Sequence, residues 1–185
     1  VWRVGGARGV GGRGPGGRTV AGLLADGHVS GLLDITTTEL ADNVCGGVMD
    51  AGPERCLAGP RAGLPTVIVP GCVDMANFWS VESMPKEFQE RILYRWNPNV
   101  TLMRTNVEEN REIGRRIATA ANAATGSVVI LIPNRGVSVL DSEGGEFWDP
   151  AADQACFDAI HSGLRSGIPV IEMDCNINDP ESSEE

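Results

Sequence analysis

Histidine is almost missing from this sequence, with only His28 and His161 in 185 residues. The five cysteines, at positions 45, 56, 72, 156 and 175, are odd in number and never stand at C-x-x-C spacing. Together these shortages leave a zinc site little to build from. The cysteines read instead as reduced thiols, expected of a cytoplasmic protein. An excess of basic residues is also lacking, since the formal net charge is −10. A general binder of nucleic acid or of an acidic membrane needs a cationic face to displace counterions, so direct nucleic-acid and membrane partners are not expected. No window approaches the roughly 20 apolar residues of a membrane span. Val1 is not a start residue and no charged-then-apolar leader follows it, so the reading is that the chain begins inside a longer sequence.

What is present suits one folded unit: 42% of residues are apolar and 22% charged, enough to fill a core and too few charges for compositional disorder. The charge is uneven. Residues 1–18 hold Arg3, Arg8, Arg13 and Arg18, no acid, and eight glycines. This stretch is read as a Gly/Arg-rich lead-in, a degenerate first strand and loop, followed by an α/β domain over 19–180 and a solvated acidic tail at 181–185.

Along the chain, strands and helices alternate. Thr19 to Asp26 reads as a short helix with Val20, Leu23 and Leu24 inward, stopped by Gly27. Ser30 to Ile35 and Thr66 to Val69 read as strands, and Ser127 to Ile132, apolar on both faces, as a central parallel strand. Pro169 to Met173 is a further strand. Capping-box spacing at Thr36/Glu39 and at Thr105/Glu108 predicts two helix starts, and Asp149-Pro150 a third. A short helix is expected within Pro53 to Ala62 and another at Lys86 to Glu90. Cys72 to Pro85 reads as one long loop, Ile92 to Trp96 as a third strand, and Val100 to Arg104 follows the break at Asn97-Pro98-Asn99. Most connections are too long for hairpins, so the expected fold is a mostly parallel, Rossmann-like sheet with helices on both faces.

In such sheets ligands bind beyond the carboxyl ends of the strands. The residues to inspect are therefore Thr36, Thr37, Thr38 and Glu39; Gly71, Asp74 and Asn77; Arg104; Asn134, Arg135, Gly136 and Ser138; and Asn176, Asn178 and Asp179. Upstream, Gly16, Gly17 and Arg18 precede a helix start, where main-chain N–H groups and the helix dipole favour a phosphate. The segment is neither a P-loop nor a full G-x-G-x-x-G. Against these readings stand plain helix capping for Thr36 to Glu39, and a buried pair with Asp74 or Asp141 for Arg104 and Arg135. Asp34, Asp74 and Asp174 with Glu39 would suit metal-assisted or acid–base work, although Asp34, inside a strand, reads as structural. Ser138 lacks the G-x-S-x-G elbow and a neighbouring histidine. His161 reads as structural, and Trp79, Trp96 and Trp148 as core or rim packing with base stacking as the alternative.

Read together, Leu33 to Glu39, Pro70 to Phe78, Asn97 to Thr105, Arg135 to Ser138 with Asp141, and Asn176 to Pro180 resemble, in order, motifs of the Tm-one-like ATP-binding family, which is named after the tomato mosaic virus resistance protein. The match of Gly16-Gly17-Arg18 to its glycine-rich turn adds to this. Upstream the chain departs from the pattern, with Val4 to Arg13 where a strand bearing histidine and threonine is expected. The resemblance implies two joined Rossmann-like subdomains, of which this chain is the second. It also implies ATP, with magnesium, as ligand and a homodimer, but no particular reaction. In the plant resistance protein it implies inhibition of viral RNA replication through the viral replication protein. The expected function is thus a nucleotide-binding domain. The alternatives are an enzyme acting on a small carboxylate or phosphorylated acid, and a protein-interaction scaffold.

Overall fold

A computed structural model describes residues 29–180. In chain order its elements are β1 (Leu32–Thr36), α1 (Thr38–Cys45), α2 (Ala58–Arg61), β2 (Thr66–Gly71), β3 (Met75–Phe78), two 3-10 turns (Val81–Ser83 and Lys86–Phe88), β4 (Leu93–Asn97), β5 (Val100–Arg104), α3 (Val107–Asn122), β6 (Val128–Pro133), α4 (Pro150–Gly163) and β7 (Val170–Met173). The strand expected at Val1 to Val4, the helix at Thr19 to Asp26, the acidic tail, and Gly16, Gly17, Arg18 and His28 lie outside the described residues.

Four strands form a parallel sheet in the order β1-β2-β6-β7, which gives the α/β, Rossmann-like class expected from the sequence. Register places Asp34, Ile68, Ile130 and Val170 side by side. That face carries the core, where Ile68, Ile130 and Ile132 meet Leu40 and Ala41 of α1, Ile113 and Ile117 of α3, and Cys156, Phe157 and Ile160 of α4. The strand order steps in one direction, so crossovers of one hand deliver α1, α3 and α4 to the same side, and among the described residues the helices expected on both faces pack on this one. The opposite row of Leu33, Val67, Val129, Leu131 and Ile171 is not part of that core, and Leu33 is 61% exposed. Helix α3 lies close against α4 because Gly114 faces the Cys156 carbonyl. A Cβ there would sit 2.3 Å from that oxygen.

Where a long loop and an isolated strand were expected, the chain builds a second sheet. β3 pairs antiparallel with β5, and β5 with β4, in the order β3-β5-β4. Asn97-Pro98-Asn99 is therefore the turn of a β4–β5 hairpin rather than a break. One face of this sheet packs Ala76, Phe78 and Met103 on Cys45 and Met84, and the other packs Leu102 on Leu140 and Phe147. Met75–Phe78 is only four residues long, too short for its alternation to stand out in the sequence.

Two helix starts are shifted. Helix α1 has Thr37 as N-cap without a side-chain cap, because the Thr37 hydroxyl donates to the Val69 carbonyl at 3.0 Å. The second capping box is Asn106/Glu109, with both reciprocal hydrogen bonds present. The Thr105 hydroxyl donates to the Val73 carbonyl at 2.8 Å and is taken up there. Asp149 caps α4 through Ala152 N, as its Asp-Pro pair predicts. Of the stretch Pro53 to Ala62 only Ala58–Arg61 is helical, and Lys86–Phe88 is a 3-10 turn. No helix among the described residues is long and apolar enough to cross a membrane, and none of the five cysteines is in a disulfide.

Candidate functional site

The loops that leave the four parallel strands are tied to one another. Thr37 N donates to Gly71 O at 2.9 Å, which joins the tips of β1 and β2. Cys72 N donates to Val137 O at 2.8 Å, and the Ser138 hydroxyl to Asp74 Oδ2 at 2.7 Å, which joins β2 to β6. Arg135 N donates to Cys175 O and Ile177 N to Gly136 O, which joins β6 to β7. The Asn176 amide donates to the carbonyls of Arg135, Ser138 and Asp141. Asn176 Oδ1 accepts from the main chain and amide of Asn178, and Asp179 accepts from Asn176 N. Glycine is required at two of these tips. A Cβ on Gly71 would lie 2.2 Å from the Ile35 carbonyl, and one on Gly136, itself at φ +120°, would lie 1.7 Å from the Asp141 carbonyl.

Four tips thus converge on one edge, and burial sorts their residues into two layers. Thr37, Asp74, Ser138 and Asn176 lie beneath the surface, while Thr36, Asn134, Arg135 and Asn178 are exposed above them, with Cys72 half-buried between. The upper layer is a rim of neutral hydrogen-bonding side chains with one guanidinium. Arg135 is held to Asp174 by two parallel contacts, Nε–Oδ1 at 2.6 Å and Nη2–Oδ2 at 3.0 Å. Its guanidinium keeps the Asp174 carboxyl below the usual range. Asn134 donates to Glu172 at 3.1 Å.

Several expected site residues hold the scaffold instead. The Arg104 guanidinium is buried, and every nitrogen has a protein partner. Nε donates to Phe147 O, Nη1 reaches Asp74 O and the Thr105 hydroxyl, and Nη2 donates to Asp149 O and to Asp153 Oδ1 at 2.6 Å. Asp141 stands 3.6 Å away, so the buried-pair alternative holds, with Asp153 as the nearer partner. Asn77 is clasped to Asp42, main chain and amide alike. Thr38 donates to Met75 O. Glu39 and Asp34 share Arg55: Nε meets Glu39 at 3.1 Å, and the two terminal nitrogens meet Asp34. No spacing in the sequence signals Arg55, which sits in an irregular segment. Asp153 could have been found, since it adjoins the inward Ala152–Cys156 stripe.

Ser138 is a turn-former. It is 3% exposed, and its oxygen accepts from Leu140 N and Asp141 N while donating to Asp74. Burial pushes the Asp74 carboxyl up to about 7, against the Ser138 hydrogen bond and with the help of the Asp141 charge. Burial likewise pushes the Cys72 thiol up to about 12, with Asp74 and Glu39 adding to the effect. Cys72 has φ +58° but is therefore no ready thiolate. Among the described residues no group of three or more His, Cys, Asp or Glu is arranged to hold a metal ion. His161 meets Glu172 at 3.0 Å at the surface, and Trp79 and Trp96 are exposed away from the core. A groove of about 550 Å³ lies elsewhere, between α3 and α4, where Arg111, Arg115, Gln154 and Asp158 face solvent.

The model of the uncharacterised protein family (UPF0261) C-terminal domain matches residues 10–185. A UPF0261 protein of Rhizobium meliloti is 50% identical over 96% of this chain and 44% of its own length. One from Clostridium tetani is 44% identical over 95% of this chain and 42% of its own length. The ToMV resistance protein Tm-1(GCR237) of Solanum lycopersicum is 44% identical over 79% of this chain and 19% of its own length. The chain thus spans less than half the length of these bacterial relatives.

Proposed function

Since this chain belongs to the UPF0261 family, with the match to its C-terminal domain, we propose that it holds an anionic ligand, the phosphates of ATP, on the rim above β1, β2, β6 and β7. The observation that supports this reading most is the joining of four strand tips into one layered edge, with exposed Thr36, Asn134, Arg135 and Asn178 over a buried polar floor. Main-chain N–H groups and neutral amides suit phosphate oxygens without demanding a cationic surface, which this acidic chain does not have. One guanidinium already paired with Asp174 does not balance a triphosphate, so magnesium and Arg18 are assigned the remaining charge. Gly16 and Gly17 would supply further N–H donors. The remaining part of the longer protein, and a homodimeric state in the cytoplasm, belong to the same reading.

The enzyme alternative is the weaker one, because Ser138, which it would place in the crevice with Asp74 and Arg135, is buried and serves three hydrogen bonds of a turn. The scaffold alternative draws support from the exposed apolar residues Leu33, Ile35 and Ile171 on the sheet face away from the helices.

Thermal unfolding with and without millimolar ATP and magnesium tests the proposal. A rise in melting temperature that is reduced in Arg135→Ala and in Arg18→Ala is expected. No rise with ATP, with or without magnesium, overturns it.

A further inference from the structure

Three carboxyl groups and one guanidinium are shut away together between the second sheet, α4 and the segment that follows β6. Asp74 and Asp141 are 0% exposed, Asp153 5% and Arg104 3%. Each group comes from a different element: Asp74 from the turn after β2, Arg104 from the end of β5, Asp141 from the loop after β6, and Asp153 from α4. Also facing the group are Asp149, whose carbonyl accepts from Arg104 and whose carboxylate caps α4, and the neutral Thr105 and Asn110. The Cys156 thiol lies one position short of a helical turn beyond Asp153 and is fully buried.

Fully ionised, the three acids would leave the cluster with two uncompensated negative charges, a costly state without water. The hydrogen bonds point the same way. Asp141 Oδ2 accepts from Val137 N at 2.8 Å, but Asp141 Oδ1 has no hydrogen-bond donor. Arg104 Nη2, 3.6 Å away, is directed instead to Asp153 Oδ1 at 2.6 Å. Asp153 Oδ1 and Asp141 Oδ1 therefore flank one and the same guanidinium nitrogen, deep in the interior. One guanidinium cannot balance two buried carboxylates that flank it, and a proton held by one of them removes the excess charge and provides a donor for the other.

We infer that Asp141 and Asp153 share a single proton at neutral pH, and that this acid pair, with Arg104, fastens the segment 137–149 to α4. The proton on Asp153 supplies the donor that Asp141 Oδ1 lacks, and the Arg104–Asp141–Asp153 group becomes neutral. Burial, with the Asp141 charge and against the attraction of Arg104, raises Asp153 to about 8, in keeping with a proton retained near neutrality. The fastened segment carries Val137, Ser138, Leu140 and Phe147 into the interior and so sets the floor beneath the strand-tip rim. Loss of the proton in mildly alkaline solution puts two anions against one guanidinium and loosens that floor.

Carboxyl-carbon NMR of protein labelled at aspartate, titrated from pH 4 to 10, reads the proton directly. A coupled pair of resonances that titrates above neutrality and is absent from Asp153→Asn is the expected result. Asp153→Asn supplies an N–H donor at every pH. Amide exchange over 137–149 should therefore rise severalfold more steeply between pH 7 and 9 in the wild type than in this variant. Asp141 and Asp153 both titrating fully below pH 5 overturns the inference, as does an identical exchange profile in the two proteins. The wild-type titration decides the matter even if the variant does not fold.

Discussion

The two amide hydrogens of Asn176 are shared among three carbonyl oxygens of the loop after β6, while the same side chain accepts twice from Asn178. Asn176→Ala takes this donor from the buried Ser138 and Asp141 carbonyls, and urea midpoints should report a loss of about 3 kcal/mol. Arg135 presents the opposite case. Its pair with Asp174 is solvated, so Arg135→Ala should leave the melting temperature in plain buffer unchanged while reducing the increment caused by ATP and magnesium. The two variants separate the floor from the rim. At this scale the sequence was partly legible. Polar residues after each strand identified both layers, because strand ends are marked by turn residues. It did not distinguish Arg104 from Arg135, since each follows an apolar run. The difference is the buried company of Arg104, Asp153 and Asp141, which are 49 and 37 positions away along the chain.

Helix starts show why local patterns come out one residue off. Thr105 and Asn106 are both good N-caps, and the choice falls to Asn106 because the Thr105 hydroxyl is claimed by Val73 O on another element. Asn106→Ala should therefore lower stability by about 1 kcal/mol, measured by chemical denaturation. Thr105→Ala should act through a buried hydrogen bond instead, with helix content unchanged by circular dichroism. The meeting of α3 with α4 rests on a missing side chain. Gly114→Ala improves helix propensity in α3 but drives a methyl group toward the Cys156 carbonyl. A fall in melting temperature is expected, and a rise would show that the two helices slide apart freely. Central strands such as β6 were readable from their two-sided apolar character. β3 was not, because a four-residue strand in a turn-rich stretch has too few alternations to register.

For the molecule as a whole, three buried acids dominate the response to pH. Burial raises Asp42 to about 6, Asp74 to about 7 and Asp153 to about 8, whereas in the unfolded chain each would titrate near 4, by the usual value for aspartate. The folded protein consequently binds more protons than the unfolded one between those limits. Stability is expected to fall as pH rises from about 4 to 8, with denaturant midpoints higher at pH 5 than at pH 8.5. Acids held low by partners, such as Glu109 beside Arg91, act in the other sense only below the ordinary carboxylate range.

The one-directional strand order has a colloidal consequence. Leu33 and Ile35 on β1 and Ile171 on β7 leave greasy ground at both edges of the four-stranded sheet, where molecules in concentrated solution would adhere to one another. Salting-out agents should precipitate this protein early, and Ile35→Lys, by placing an ammonium group on the β1 edge of that ground, should raise the ammonium sulfate concentration at which turbidity begins.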